Sequence, residues 1–555
     1  MQTIIILLVM TQLVIAAAAV LGPKMKIPGP LILVMAGIGV SALPFVPDVV
    51  INPHIIVLGL LPPLLYASAT AVPAMNLRRE FTAVNLLSIV LVVVSALVLG
   101  ALFAWMIPGL GLGWGVALGA TLSPTDAVAT TIIKGRGVPE RVSAMLEGEG
   151  LLNDASALIV LRTAIIATSL GFSFWPTVGS FIYAIMVAVL IGRLAARINL
   201  AMRRRIHEEA VNTVLSFTTP FIAAIPAELL HASGLVAAVV AGFFIGTQAP
   251  RELPPGHRVS DSRNWATLEI SLEGVIFLTM GLQLATIIRQ VRMESSGLER
   301  GLLIALIAFV LTVAVRAVFV TPLLWFSHRR SLREQARQPQ IMAMQQELEA
   351  GRVPDAIAHR ARRWKLPLGE RMLGRITRRV RRHLADLDHF SRQPLDRAST
   401  VVVIWAGMRG AVTVAAVQLL PDATPHRPLL VFIAFAVAAL SLLIQGGSVG
   451  MLVAWLFPRG ESEAARLVRE AERTRIRQLL EQVVAKVERK EDMTAKTYRL
   501  AVLSAKRNAL LDLRDDGLFS SEELMVAMRD VDIDEMVLEL RSEAVENRHS
   551  PSVES

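Results

Sequence analysis

The feature that most constrains this chain is a succession of long apolar stretches that continues, with few interruptions, as far as Leu456. Each stretch is close to the roughly 20 residues that an α-helix needs to cross the hydrocarbon core of a bilayer. Only helices and closed barrels satisfy their backbone polar groups there, and stretches of this length are typical of helices. Of the 555 residues, 54% are hydrophobic and only 18% are charged. The pattern predicts an all-α polytopic membrane protein and not an enzyme.

The length criterion gives about thirteen membrane spans. They fall near residues 1–21, 29–46, 50–73, 81–107, 113–133, 143–169, 173–197, 210–230, 233–247, 266–288, 301–326, 399–420 and 428–457. The first stretch lacks the basic n-region of a signal peptide, so we interpret it as a mature transmembrane helix. We therefore expect spans one to eleven within 1–326, a basic cytoplasmic insert at 327–398, spans twelve and thirteen within 399–457, and a cytoplasmic helical tail at 458–555.

Lysine and arginine are unevenly distributed among the connectors, and this distribution predicts the orientation. Basic residues follow spans one, three, five and seven, whereas the connectors after spans two, four and six carry none. Because cytoplasmic loops hold the excess of basic residues, we expect the N-terminus outside and the C-terminus in the cytoplasm. Arg289 and Arg292 after span ten disagree, but the basic insert after span eleven outweighs them. A plasma membrane, and for so compact a chain a bacterial inner membrane, is the expected location.

Cysteine is absent, which excludes disulfides, cysteine-ligated zinc, iron–sulfur clusters and thiol catalysis. The net charge of +10 lies mostly outside the apolar stretches. We expect the insert to contact anionic lipid headgroups and not nucleic acid. The tail is expected to form amphipathic helices that serve assembly or regulation. Its Asp512–Glu523 segment matches part of a calcium loop, but Arg514 occupies a ligand position, which favours a plain turn between helices.

Six charged side chains inside the predicted spans are functional candidates, because an ionisable group near mid-bilayer normally faces a cavity or a partner. They are Asp126 in span five, Glu147, Glu149 and Asp154 in span six, Arg316 in span eleven and Arg409 in span twelve. At about 1.5 Å per residue, Asp126 and Asp154 both lie near half-depth. Two carboxylates at one depth on successive helices predict a cation site.

Span five contains Pro124 directly before Thr125 and Asp126. The proline removes a backbone donor and disrupts the helix, so freed carbonyls and the Thr125 hydroxyl could join Asp126 and Asp154 in ligating a hard cation such as Na⁺. Span twelve likewise places Arg409 between two glycines. If spans one to six and eight to thirteen form two inverted halves, these interruptions occupy corresponding positions, which is typical of the midplane site of a secondary transporter.

Span six adds an access path and an ion pair to this hypothesis. Glu147 lies on the same helix face as Asp154, two turns towards the cytoplasm, and Gly150 between them leaves space. This outlines a path from the cytoplasm to Asp154. Glu149 lies on another face and could form a buried ion pair with Arg316 that holds two helices together.

Three motifs carry a specific resemblance to a known family. Ser123-Pro124-Thr125-Asp126, Glu147-Gly-Glu149-Gly-Leu-Leu-Asn153-Asp154 and Gly407-Met-Arg409-Gly410-Ala411 resemble the signatures of NhaP-type sodium/proton antiporters. These belong to the cation:proton antiporter-1 family, which includes the sodium/hydrogen exchangers. The resemblance covers roughly residues 1–457 apart from the insert. It implies a homodimer in which a six-helix ion-carrying bundle moves against a dimerisation domain like an elevator, and in which two broken helices cross beside the site.

The resemblance also implies roles for individual residues. Asp154 matches the essential carboxylate that binds both cation and proton, Asn153 matches its partner, and Thr125 and Asp126 match the adjoining site. Glu149 and Arg316 match an ion pair between core helices, and Arg409 matches the arginine near the helix crossing. Members with an Asn–Asp pair exchange one Na⁺ for one H⁺. The resemblance thus implies electroneutral Na⁺ or Li⁺/H⁺ exchange in pH homeostasis, with no cofactor beyond the transported ions.

Two departures from the family's motifs leave the identity of the transported cation open. Ala67 stands where many relatives have an acidic residue, and Gly150 stands where some have a ligating serine. Glu273 in span ten could compensate for Ala67, although a pairing role is equally open. A K⁺/H⁺ antiporter of the same fold is the main alternative. A cation channel is more distant, because it needs a continuous pore. An intramembrane aspartyl protease would also place two aspartates on adjacent spans, but its Gly-x-Gly-Asp context is absent.

Overall fold

The computed structural model describes residues 2–25, 27–41, 55–126, 128–134, 136–170, 174–206, 208–293, 297–336, 338–350, 370–458, 463–489, 491 and 493–549. Parts of the expected second and third spans, the centre of the insert and the end of the tail lie outside these described residues. Every regular element in the described ranges is helical.

The first half of the chain alternates short and long helices. These are α1 (Gln2–Met25), α2 (Gly29–Ser41), α3 (Leu61–Ala71), α4 (Ala74–Arg79), α5 (Phe81–Asn85), α6 (Leu91–Met106), α7 (Gly111–Thr121), α8 (Val128–Ile133), α9 (Glu140–Leu170), α10 (Phe174–Arg203), α11 (Glu209–Leu229) and α12 (Gly234–Glu252). One π-helical segment, Ile55–Leu60, leads into α3, and another, Leu86–Val90, joins α5 to α6.

The second half begins with the two longest helices. Its elements are α13 (Pro255–Met293), α14 (Leu298–Gln335), α15 (Gln338–Glu349), α16 (Glu370–Arg392), α17 (Arg397–Trp405), α18 (Ala411–Val417), α19 (Arg427–Ser441), α20 (Gly447–Leu456), α21 (Glu463–Ala485), α22 (Ala495–Asp516) and α23 (Ser521–His549). A π-helical segment, Leu442–Gly446, joins α19 to α20.

Eight helices within the described residues are long and apolar enough to cross a membrane, and three shorter apolar helices accompany them. Two of the expected spans are not continuous helices. The fifth is divided into α7 and α8, and the twelfth into α17 and α18. Pro124 explains the first division, because it cannot donate the backbone hydrogen bond that a continuous helix requires.

The chain forms two compact units. The first comprises Met1–Glu252, Val259–Leu323 and Arg397–Gly460. In this unit α3 and α10 pack against α12, and α7 packs between α6 and α9. Glycines allow the closest approaches, as small residues do in membrane helix pairs. A Cβ on Gly242 of α12 would lie 2.6 Å from the carbonyl oxygen of Tyr66 in α3, so only glycine fits there.

The second unit comprises Leu253–Arg258, Leu324–Asp396 and Glu461–Ser555. Helices α21, α22 and α23 share a small apolar core. Its buried members are Ile476, Leu503, Leu510, Phe519, Leu524 and Val531. Gly517 ends α22 in the left-handed conformation (φ +73°), which glycine adopts without strain. Glu523 accepts a hydrogen bond from Arg473 (2.5 Å), so the segment that matched part of a calcium loop is a helix-to-helix turn whose last acidic residue has an arginine partner.

Candidate functional site

The first helix break lies between α7 and α8. Residues Ser123–Asp126 are not helical, and Pro124 has no N–H to donate. The backbone N–H of Asp126 instead donates to the carbonyl oxygen of Met408 (2.8 Å), which belongs to the second break. The Asp126 carboxylate accepts a hydrogen bond through Oδ1 from the N–H of Val128 (3.0 Å) and so caps α8. The two breaks therefore form one connected segment of irregular backbone.

The second break lies between α17 and α18, and Arg409 satisfies carbonyl groups from both breaks. Its guanidinium donates to Leu122 O through Nε (2.8 Å) and also donates to Gly407 O. Its backbone N–H donates to Ser441 Oγ (2.8 Å). Arg409 is buried, so these contacts replace the water that would otherwise solvate the freed backbone groups. One side chain thus holds two interrupted helices together.

Two glycines in the second break leave room for charged side chains. A Cβ on Gly407 would overlap the guanidinium of Arg316, and a Cβ on Gly410 would overlap the carboxylate of Asp126. Each contact involves the functional end of a side chain packed directly against backbone. The glycines of this motif therefore allow the close approach of charged groups to the broken helix.

Helix α9 brings Asn153 and Asp154 to the first break. The Asn153 side-chain amide donates to Ser123 O (3.1 Å) and to Thr125 Oγ1 (3.0 Å). Asp154 is 5% exposed, and its Oδ1 has no hydrogen-bond partner. Asp126 Oδ2 is also buried without a partner. Buried polar atoms are normally satisfied, so two orphaned carboxylate oxygens in one region call for a functional explanation.

A cavity of about 1180 Å³ opens beside these oxygens. Its lining includes Thr125, Asp126, Glu147, Gly150, Asp154 and Glu273. The carboxylates of Asp126 and Glu149 act electrostatically on Asp154. An acidic cavity with neutral oxygens at its edge can bind a hard monovalent cation or a proton.

Glu149 and Arg316 are paired and lie apart from this cavity lining. The two side chains form a bidentate salt bridge, with Arg316 Nη2 2.7 Å from Glu149 Oε2 and Nη1 contacting Oε1. Both are almost completely buried. Arg316 Nε also donates to Val403 O in α17 (3.0 Å). The pair expected from the sequence is present, and it joins α9 and α14 to the helix before the second break.

Glu147 borders the cavity and has a partner that the sequence analysis missed. Lys134, just after α8, lies 2.8 Å from Glu147 Oε1. A second missed contact involves the residue that follows Ala67. Ser68 and not Ala67 borders the cavity, and its hydroxyl donates to Glu269 Oε1 (2.6 Å) on α13. Glu269 precedes the predicted candidate Glu273 by one helical turn, and this spacing was the available signal.

The fold and this site together define a polytopic helical membrane protein with an acidic cavity at two interrupted helices. The family model described as the transmembrane sodium/hydrogen exchanger matches residues 9–363 and 377–455. The chain therefore belongs to the sodium/hydrogen exchanger family.

Relatives and one solved structure agree with this assignment. The Na⁺/H⁺ antiporter NhaP of Pseudomonas aeruginosa is 26% identical over 420 residues, which cover 73% of this chain and 82% of that protein. The sodium, potassium, lithium and rubidium/H⁺ antiporter of Bacillus subtilis is 31% identical over 271 residues, 47% of this chain and 40% of that one. The solved sodium proton antiporter MjNhaP1 of Methanocaldococcus jannaschii has a TM-score of 0.56 at 16% identity, covering 82% of this chain and 99% of that one. At that identity the structural likeness supports the shared fold alone.

Proposed function

We propose that this protein is a secondary-active monovalent cation/proton antiporter that exchanges Na⁺ or Li⁺ for H⁺ without net charge transfer. The observation that carries the proposal is the pair of orphaned carboxylate oxygens of Asp126 and Asp154 beside one cavity. Neither aspartate has a basic partner among the described residues. A buried carboxylate in a membrane needs a counter-charge, and a mobile cation or a proton supplies it.

In this proposal Asp154 carries either the cation or the proton. The Asp126 carboxylate and the Thr125 hydroxyl complete the Na⁺ site together with freed backbone carbonyls. Asn153 positions the site, because its amide donates to both Ser123 O and Thr125 Oγ1. The Thr125 hydroxyl oxygen uses one lone pair to accept this hydrogen bond and keeps the other for an ion. Glu147, at the cavity edge, borders the access path.

The coupling of cation transport to proton transport follows from the free-energy cost of moving Asp154 without a bound ion. The part of the protein that carries the ion reorients when Asp154 holds a proton or a cation, and it does not reorient when Asp154 is bare, since the unsolvated charge is too costly to move through the membrane. Because one carboxylate accepts one monovalent ion at a time, exchange is one for one. No further coupling device is needed.

The proposed architecture has about thirteen spans in two inverted six-helix halves, with the two breaks as crossed helices at the midplane. The protein forms a homodimer in which the ion-carrying bundle of each protomer moves by an elevator mechanism. It lies in the plasma membrane, and specifically in a bacterial inner membrane. The N-terminus lies outside, and the insert and tail lie in the cytoplasm, where the insert contacts lipid headgroups. The links made by Arg409 and by the Glu149–Arg316 pair support this proposal, since they hold the core helices in one body.

K⁺/H⁺ exchange is the second candidate. Neither Ala67 nor Gly150 carries a side-chain oxygen, so neither residue can help to replace the hydration shell of a cation, and this favours the more weakly hydrated K⁺. The Bacillus subtilis relative is named for potassium as well as sodium.

Dissipation of a pH gradient in proteoliposomes tests the function. Na⁺, Li⁺ and K⁺ are added in turn, and we expect Na⁺ and Li⁺ to collapse the gradient with saturating kinetics. A response to K⁺ alone would transfer the assignment to K⁺/H⁺ exchange. Uptake that does not saturate and that an opposing pH gradient cannot reverse would indicate a channel, and no response to any cation would refute antiport.

A further inference from the structure

Two groups can be distinguished among the buried and half-buried acidic side chains of the first unit. One group has basic partners: Glu80 with Arg141, Glu147 with Lys134, Glu149 with Arg316, Glu228 with Arg162 and Asp261 with Arg203. The other group lines the cavity and has no basic partner among the described residues. Its members are Asp126, Asp154, Glu269 and Glu273, and all four line the same cavity. The function proposed above uses only the two aspartates of this second group.

The two remaining carboxylates lie on one face of α13. Glu269 and Glu273 are four residues apart, which places them one above the other on a helix. Ser68 on α3 donates to Glu269 Oε1 (2.6 Å) and so engages one of its two carboxylate oxygens. Glu273 lies within electrostatic reach of both Glu269 and Asp126. Glu269 and Glu273 therefore line the same cavity as Asp126 and Asp154, and Glu273 links Glu269 to Asp126 electrostatically.

The cavity's basic side chains do not neutralise this pair. Lys134 is bound to Glu147, and Arg136 donates to the carbonyl oxygen of Gly450 (3.4 Å). Among the residues that the structure describes, the cavity lining thus holds five carboxylates against two cationic side chains. A low-dielectric cavity with such an excess of one sign concentrates counter-ions.

We propose that Glu269 and Glu273, together with the Ser68 hydroxyl, form a second monovalent-cation site that loads the cation before it passes to Asp154. This inference rests on the proposed antiport function. The orphaned Oδ1 of the buried Asp154 in the same cavity is the destination of the ion. A loading site of this kind raises the local cation concentration at Asp154, so it sets the KM for the cation and leaves the turnover step unchanged.

Transport kinetics of matched variants test the loading role. We expect Glu269→Gln to raise the KM for Na⁺ about tenfold while Vmax stays within about twofold of the wild type. Glu269→Asp, which keeps the charge, should recover most of the affinity, and Ser68→Ala should raise KM less than Glu269→Gln. Glu299→Gln removes the same charge at an exposed position outside the cavity lining and should change neither value. An unchanged KM in Glu269→Gln, or a loss of Vmax with KM unchanged, would overturn the proposal.

Equilibrium binding of ²²Na⁺ to the purified full-length protein separates this proposal from the antiport function. Asp154→Asn should retain weak saturable ²²Na⁺ binding, and the double variant Asp154→Asn/Glu269→Gln should lose it. Equal binding by the two variants, or no binding by Asp154→Asn, would refute the second site even if the wild type exchanges ions. Exchange that persists in Asp154→Asn would refute the proposed antiport site, whatever the binding result.

Discussion

The backbone N–H of Asp126 donates a hydrogen bond to the carbonyl oxygen of Met408 (2.8 Å), and this contact joins two helix breaks that are far apart in the sequence. Arg409 reinforces the link from the opposite direction, because its side chain donates to Leu122 O (2.8 Å). Each break therefore supplies partners for backbone groups that the other break leaves free. A change at one break should accordingly alter the ion site at the other.

Gly410→Ala tests that coupling. The added Cβ would overlap the Asp126 carboxylate, so Asp126 or the backbone of the second break must move. We expect the exchange rate to fall about tenfold or more, because ion ligands must hold their geometry closely. The variant should still fold, since the overlap concerns one side chain at the edge of a cavity.

Gly179→Ala in α10 is the control, because no described atom outside the chain neighbours and the backbone of α10 lies within 4 Å of the added Cβ. It should exchange ions at the wild-type rate and be as stable or slightly more stable, since alanine favours a helix by about 1 kcal/mol over glycine. Equal activity of the Gly410→Ala and wild-type proteins would contradict the coupling of the breaks.

Arg316→Ala should lower the amount and the thermal stability of folded protein. Glu149 would then be left as an uncompensated buried charge, which costs about 3–5 kcal/mol. The double variant Glu149→Leu/Arg316→Met removes both charges and should be more stable than Arg316→Ala alone. Melting temperatures of the purified proteins in detergent provide the measurement.

Arg162→Ala is the matched control for the buried pair. Arg162 is 43% exposed in its salt bridge with Glu228, whereas Arg316 is 2% exposed, so the loss of Arg162 should destabilise the protein less than the loss of Arg316. If Arg316→Ala and Arg162→Ala melt at the same temperature, the Glu149–Arg316 pair does not stabilise the core as described.

Competition for Asp154 predicts a pH dependence with a definite sign. A proton bound to Asp154 excludes the cation, so the apparent KM for Na⁺ should fall as the pH rises and protons become scarcer. The change can reach about tenfold for each pH unit when one proton competes with one cation. Initial rates against Na⁺ concentration at several pH values measure this. A KM that is independent of pH would place the proton on a different group.

The sequence predicted much of the fold and of the aspartate region, because the relevant signals are local. Apolar length identifies helices that can cross a membrane. A charged residue inside such a stretch is a functional candidate, because placing an ionisable side chain in the bilayer is energetically costly. Pro124 also signalled the break between α7 and α8. The Glu149–Arg316 pair was predictable from the sequence for the same reason, since each member is a charged residue in an apolar stretch and needs a partner of opposite charge.

Contacts between distant parts of the chain were not predictable in this way. Ser68 and Glu269 are separated by 201 positions, and nothing local marks a serine as the partner of a carboxylate on another helix. Glu147 borders the cavity, but nothing in its local sequence indicates that the chain after α8 folds back so that Lys134 pairs with it. Helical periodicity gives the face on which a side chain lies, and it does not give the neighbour that the face meets.

The measurement that tests the central claim most directly is Na⁺-driven dissipation of a pH gradient by wild-type and Asp154→Asn protein in matched proteoliposomes. The two proteins should be reconstituted in equal amounts and should give the same size-exclusion profile, because asparagine has nearly the same shape as aspartate. We predict that the wild type collapses the gradient when Na⁺ is added and that Asp154→Asn does not. Exchange by folded Asp154→Asn at a rate near that of the wild type would contradict the assignment of Asp154 as the shared site of cation and proton.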